Sequence, residues 1–144
     1  VSLQLLYSDE KFSVPSNVHL IGMMNTADRS LAILDYALRR RFSFVDINPA
    51  FDSKVFKNYQ RGVNNAFLDK TIENIEKLNV EISKDITLGK GFVIGHSYFC
   101  GLKSDVSNSD IKLIIKYEII PLLKEYWFDA EEQAEKWEKT LLGV

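Results

Sequence analysis

Two groups of side chains in this sequence have the types and spacing to do chemistry. Asn25, Asp28 and Arg29 leave an apolar run together, and Arg39, Arg40 and Arg41 follow as an unbroken triplet in front of Phe42. A side-chain amide at the end of a buried strand can orient a water or a ligand. Open α/β sheets place ligand chemistry at the C-terminal edge of their strands. A guanidinium stays charged and can bind two oxygens at once, so an arginine cluster suits phosphate. Each group also has a plain reading. Asn and Asp leaving a strand bond their own backbone in a turn, and arginines ending a helix favour the negative pole of its dipole. Spacing alone leaves both readings open.

The elements that must position these residues fall into two regions. Over residues 1–48 the pattern is strand-rich with one short helix. "VSLQLLY" and "KFSV" flank "SDEK" and predict a hairpin with a polar turn. After Pro15, "NVHLIGMMN" is an apolar run of strand length, of the type buried on both faces of a sheet. Asp35 stands before "YALRRR" as a helix N-cap, and "FSFVDI" alternates like a strand before Pro49. The runs over 17–24 and 42–47 are expected as neighbouring strands of one sheet.

From residue 50 the period becomes helical. Val55, Phe56, Tyr59 and Val63 share a face, with Gly62 as a break, and Phe67, Thr71, Ile75, Leu78 and Ile82 predict a longer amphipathic helix. "LGKGFVIGHSYFCG" reads as a glycine-punctuated loop with a short extended piece. A helix through Ile111, Ile114, Ile115, Glu118, Ile119, Leu122, Leu123 and Tyr126 follows, capped by Asn108 or Ser109, with Pro121 predicting a kink or break. Asp129 is expected to open a last amphipathic helix, "AEEQAEKWEKTLL". The fold class is therefore α/β, with residues 1–49 belonging to the sheet-bearing part and 50–144 to a helical one.

A chain of 144 residues fits one domain or a piece of one. It starts on Val and enters at once into strand-like sequence, which reads as an excerpt of a longer protein. With a formal net charge of −2 there is no global basic field to advertise nucleic acid. Cys100 is the single cysteine, which excludes an internal disulfide and suits a reducing compartment, most simply the cytoplasm. No apolar run approaches the roughly 18 residues of a membrane span.

At "MNTADRSLAILDYALRRRFSF" the chain resembles the segment of AAA+ nucleotide hydrolases that carries sensor 1 and the arginine finger. More narrowly it resembles the McrB family, the motor subunit of modified-cytosine-specific restriction systems. "LGKGFVIGHSYF" and "YEIIPLLKEYW" look like the helical lid of that family. The resemblance implies the C-terminal part of an AAA+ core (hairpin, sensor strand, short helix, last strand) followed by the lid. It implies that Asn25 is sensor 1, orienting the attacking water near the γ-phosphate. Asp28 and Arg29, in the same signature, would order that water or a neighbouring subunit's contact. Arg40 and Arg41 match the finger that reaches the adjacent subunit's nucleotide, a contribution worth roughly 10³–10⁵ in rate. Gly95, His96 and Ser97 fall where AAA+ lids carry sensor 2 and would line the base or phosphate side. His96 departs there from the Arg usual in many relatives.

The same resemblance implies GTP, with ATP open, together with Mg²⁺, a homo-oligomeric ring, an McrC-like nuclease subunit and DNA reached through the assembly. Asn25-Thr26-Ala27-Asp28 echoes the N-K-x-D guanine-reading motif with Thr where Lys stands. The AAA+ layout, which puts Asn25 at the γ-phosphate, discounts that echo. No G-x-x-x-x-G-K-[ST] occurs, so the phosphate cradle and its lysine are absent and the chain on its own is not expected to hydrolyse nucleotide. Asp46 ends the last strand of the family's core and is not expected to bind metal. The hairpin sits where several AAA+ clades insert one, facing the ring's pore or a partner; a plain sheet edge is the alternative. Two other functions remain: an ATP-using remodelling relative of the MoxR or dynein-like kind, and a non-catalytic interaction module.

Overall fold

The computed structural model describes residues 2–25, 27 and 39–143. The predicted hairpin forms between β1 (Ser2–Gln4) and β2 (Lys11–Ser13), antiparallel, with Leu3 opposite Phe12. Its loop is wider than four residues. Leu5 N–H donates to the Glu10 carbonyl at 2.9 Å, and Asp9 N–H to the Leu5 carbonyl at 3.1 Å. Asp9 takes a left-handed φ of 56°, and its Oδ1 accepts the Gln4 amide at 3.0 Å. A short acidic side chain that bonds locally tolerates that conformation better than most.

The two strands expected over 17–24 and 42–47 are not formed. Among the described residues the only sheet is the two-stranded hairpin, and Ile21, Met23, Val45 and Ile47 are each at least 84% exposed. A strand with this apolar pattern needs partners for its backbone and cover for both faces. Six hairpin residues supply neither, so of the sheet-bearing half only the hairpin is formed in this structure.

The helical half assembles around one core. Helix α1 (Lys54–Val63) is capped by Ser53, whose Oγ accepts from Phe56 N–H at 3.2 Å. Gly62 lies inside α1; the break comes at Asn64, left-handed at φ 54°. Asn65 then caps α2 (Ala66–Lys84) by accepting from Phe67 and Leu68 N–H at 2.9 and 3.0 Å. Two adjacent asparagines thus end one helix and start the next, each suited to its position. On α2, Leu68, Ile75, Leu78 and Ile82 are fully buried.

The glycine-punctuated stretch contains the expected short extended piece, residues 93–95, set between two single 3₁₀ turns, Lys90–Phe92 and His96–Phe99. Helix α3 (Asn108–Ile114) begins one or two residues earlier than the expected caps place it: Ser107 is the cap, in a reciprocal box with Asp110. Pro121 does not break the helix, which runs on through it with a local change of pitch. It has no N–H and crowds the carbonyl four residues back. The preceding turn, Ile115–Ile119, widens to a π-helix, in which Ile120 N–H reaches the Ile115 carbonyl. The chain then continues as α4 (Ile120–Tyr126), and Ile111, Ile115, Ile119 and Leu123 all stay buried along one stripe. Full burial of each such side chain contributes roughly 1.5–3 kcal/mol. Helix α5 (Glu131–Leu142) starts two residues after Asp129 with no side-chain cap, and packs Ala134, Trp137 and Leu141 inward. Its indole joins α2: Trp137 Nε1–H donates to Glu81 Oε2 at 3.0 Å, and Gln133 donates to Oε1 of the same carboxylate.

Candidate functional site: a groove against the helical unit

A groove of about 450 Å³ runs between Asn25 and Ala27 on one side and residues 91–95, Tyr98, Leu122, Glu125 and Tyr126 on the other. Its wall, residues 91–95, contains two glycines between which Phe92, Val93 and Ile94 pack on the core. Asn79 of α2 holds it: Ile94 N–H donates to Asn79 Oδ1 at 2.6 Å, and Asn79 Nδ2 donates to the Ile94 carbonyl at 2.9 Å. One amide therefore satisfies both backbone groups of a buried residue, as a neighbouring strand would. Phe92 packs edge-on to Tyr126, centroids 5.1 Å apart. Burial first, then Tyr98 and Glu125, push the Tyr126 hydroxyl up to about 12. It stays protonated, and so remains a hydrogen-bond donor at any ordinary pH.

The lining offers an amide, two phenols, a carboxylate and backbone groups, with no lysine or arginine. That chemistry suits a flat, hydrogen-bonding ligand such as a nucleobase and its ribose. It does not suit three phosphates. Among the described residues no group of three or more His, Cys, Asp or Glu side chains could hold a metal ion.

The candidate residues of the sequence are only partly brought together. Asn25 and Gly95 line the groove. Asn25 Oδ1 accepts the Ala27 N–H at 3.1 Å, which is the local turn of its plain reading. His96 and Ser97 do not line it: His96 turns away to Ala50, and Ser97 is exposed. Arg40 and Arg41 are exposed and make no ion pair among the described residues, while the Arg39 guanidinium lies 6.0 Å from the Phe44 ring centre. Asp28 and Arg29 lie outside the described residues. Sequence reasoning missed Asn79, Tyr98 and Glu125. Asn79 sits at a boundary position of the α2 pattern, where an amide looks like part of the solvated face.

Residues 70–135 match the sequence model of a family described as McrB, alpha-helical lid domain. A curated relative, the "Type IV methyl-directed restriction enzyme EcoKMcrB subunit" of Escherichia coli (strain K12), is 49% identical over 151 residues, covering 99% of this chain. The chain is McrB-type. It spans 33% of the length of that relative. The McrB lid match begins within α2 and ends within α5, so Asn79 and the wall 91–95 lie inside it, as do Tyr98, Glu125 and Tyr126. Asn25 and Ala27 lie outside it, on the other side of the groove. No helix among the described residues is long and apolar enough to cross a membrane.

Proposed function

We propose that this chain forms the sensor, arginine-finger and lid part of a ring-forming AAA+ nucleotide hydrolase, the motor of a modification-dependent restriction system. GTP is its preferred substrate over ATP. The observation that carries this reading is that a McrB-type chain sets Asn25, of the Asn-Thr-Ala-Asp-Arg-Ser string, across one groove from a lid wall held by Asn79.

In this reading the base and ribose lie along the lid side of the groove, with Tyr126 as a permanent donor, and the phosphates leave it at the Asn25 end. Asn25 orients the attacking water, which its amide can do as donor and acceptor together. Asp28 and Arg29 support that water or the neighbouring subunit. Exposed Arg40 and Arg41 are free to reach a nucleotide held by the next subunit, where positioning and charge neutralisation supply nearly all of the catalysis. Bound Mg²⁺ would neutralise phosphate charge. Gly95 serves by admitting the ligand close to the backbone. The partners are the other subunits of the ring, an McrC-like nuclease subunit, and DNA through the assembly.

Steady-state hydrolysis by the full-length protein with Mg-GTP and Mg-ATP tests the reading. GTP turnover above ATP turnover is expected. Turnover of ATP alone would move the chain to the remodelling class, and turnover of neither would leave only an interaction module.

A further inference from the structure

We propose that His96 is a positioning residue, pinning the segment that enters the helical unit to the wall of the groove. It thereby fixes the groove's shape without touching what the groove holds. The ligand in this inference rests on the nucleotide reading above; the pin itself rests on geometry.

Ala50 N–H donates to His96 Nδ1 at 3.1 Å, across 46 residues of sequence. An amide N–H can only donate, so Nδ1 carries no proton and the neutral ring's hydrogen is on Nε2. The ring's plane is held by its neighbours. It stands edge-on to Phe51 (6.0 Å, 74°) and to Phe56 (5.6 Å, 86°), and these two rings are themselves T-shaped at 5.4 Å. Both phenylalanines are buried. Two edge-on contacts thus set the imidazole plane, and the Ala50 N–H selects the orientation in that plane that turns Nδ1 toward it.

What the pin joins gives it consequence. On one side is Ala50, directly after the segment 39–49 that carries Arg40 and Arg41. On the other is Gly95, the last residue of the wall. Asn79 anchors that wall at Ile94, and His96 anchors it two residues later. One anchor permits rotation of the wall about itself; two anchors on different elements do not. Removing the second leaves the wall attached but free to adopt several arrangements, which weakens binding by the fraction of time spent in the wrong ones.

Two substitutions separate this role from bulk. In His96→Asn the amide oxygen stands close to where Nδ1 stands; in His96→Gln the amide reaches to the Nε2 position and misses Ala50. In the full-length protein, hydrogen exchange at Ala50, read by mass spectrometry on a peptide covering residues 46–56, should speed up at least about tenfold in His96→Gln. It should stay within about threefold of native in His96→Asn. Nucleotide KM should rise about five- to tenfold in His96→Gln with kcat within about twofold, the pattern of lost ground-state fit, and His96→Asn should restore it. Exchange in residues 66–84 reports global folding, and if His96→Gln unfolds there, the His96→Asn prediction still stands alone. Unchanged exchange at Ala50 in His96→Gln, or loss of protection in His96→Asn, overturns the pin. Native protein that turns over neither nucleotide sinks the nucleotide reading and the KM half of this inference, while exchange at Ala50 still decides the pin.

Discussion

Trp127 donates its indole N–H to Asp85 Oδ2 at 3.0 Å, joining the end of α4 to the residue that stops α2. The other carboxylate oxygen accepts the Thr87 hydroxyl at 2.6 Å and the Thr87 and Leu88 N–H groups at 2.7 and 3.3 Å. These bonds, the Thr87 hydroxyl first and the indole second, hold the carboxyl down from 3.8 to about 2. A carboxyl depressed in the folded state adds stability above its unfolded value, and that stability is lost as pH falls through the folded value. The window is therefore pH 4 down to 2.

Asp85→Asn should accordingly be less stable than native at pH 5, with the gap closing by pH 2. Urea melts followed by tryptophan fluorescence at pH 2, 3, 4 and 5 measure it. A gap independent of pH would show that the carboxylate's charge plays no part in this joint.

Asn79→Asp is nearly isosteric but replaces the donor facing the Ile94 carbonyl with a second acceptor. A buried carbonyl left unsatisfied costs about 1–3 kcal/mol, so a thermal melt should show that loss. Asn79→Ser, too short for both bonds, should lose a similar amount. Stability equal to native in both variants would mean that the wall is held by packing.

The helical half was legible because its signals are local. Leu68, Ile75, Leu78 and Ile82 fall on one helical face, and an amphipathic helix can form and bury that face wherever a neighbour is offered. Pro121 announced its irregularity through a missing N–H. The starts of helices were harder: Ser107 outcompeted Asn108 and Ser109 because Asp110, three residues on, completes a reciprocal box. The strands over 17–24 and 42–47 were misread for the opposite reason. Apolar residues such as Ile21 and Val45 show that a segment is able to be a strand, and pairing must then come from elsewhere in the chain. In the site, Asn25 was visible from its string of neighbours. The orientation of His96 was not, because it depends on Ala50, Phe51 and Phe56, which sequence spacing does not bring near.

Residues 1–144 expressed alone should bind Mg-GTP and Mg-ATP poorly. The groove has no cation among its lining residues, whereas phosphate affinity comes mainly from a lysine and backbone amides around the charges. Base and ribose contacts must still overcome lost translational freedom. Isothermal titration should give no saturable binding tighter than about 10 μM, roughly −7 kcal/mol. Tighter binding would place the phosphate site within these residues.

The central claim, that Arg40 and Arg41 act on a nucleotide held by a neighbouring subunit, is tested most directly by single-site kinetics in the full-length protein. Arg40→Ala and Arg41→Ala should be compared with native for hydrolysis rate and nucleotide affinity under saturating Mg²⁺. A group that meets the nucleotide mainly in the transition state lowers kcat and leaves ground-state binding alone. At least one variant should lose about 10³-fold or more in kcat with affinity within a few-fold of native. Native kcat in both variants would show that the arginine triplet is a solvated helix end, and would contradict the account.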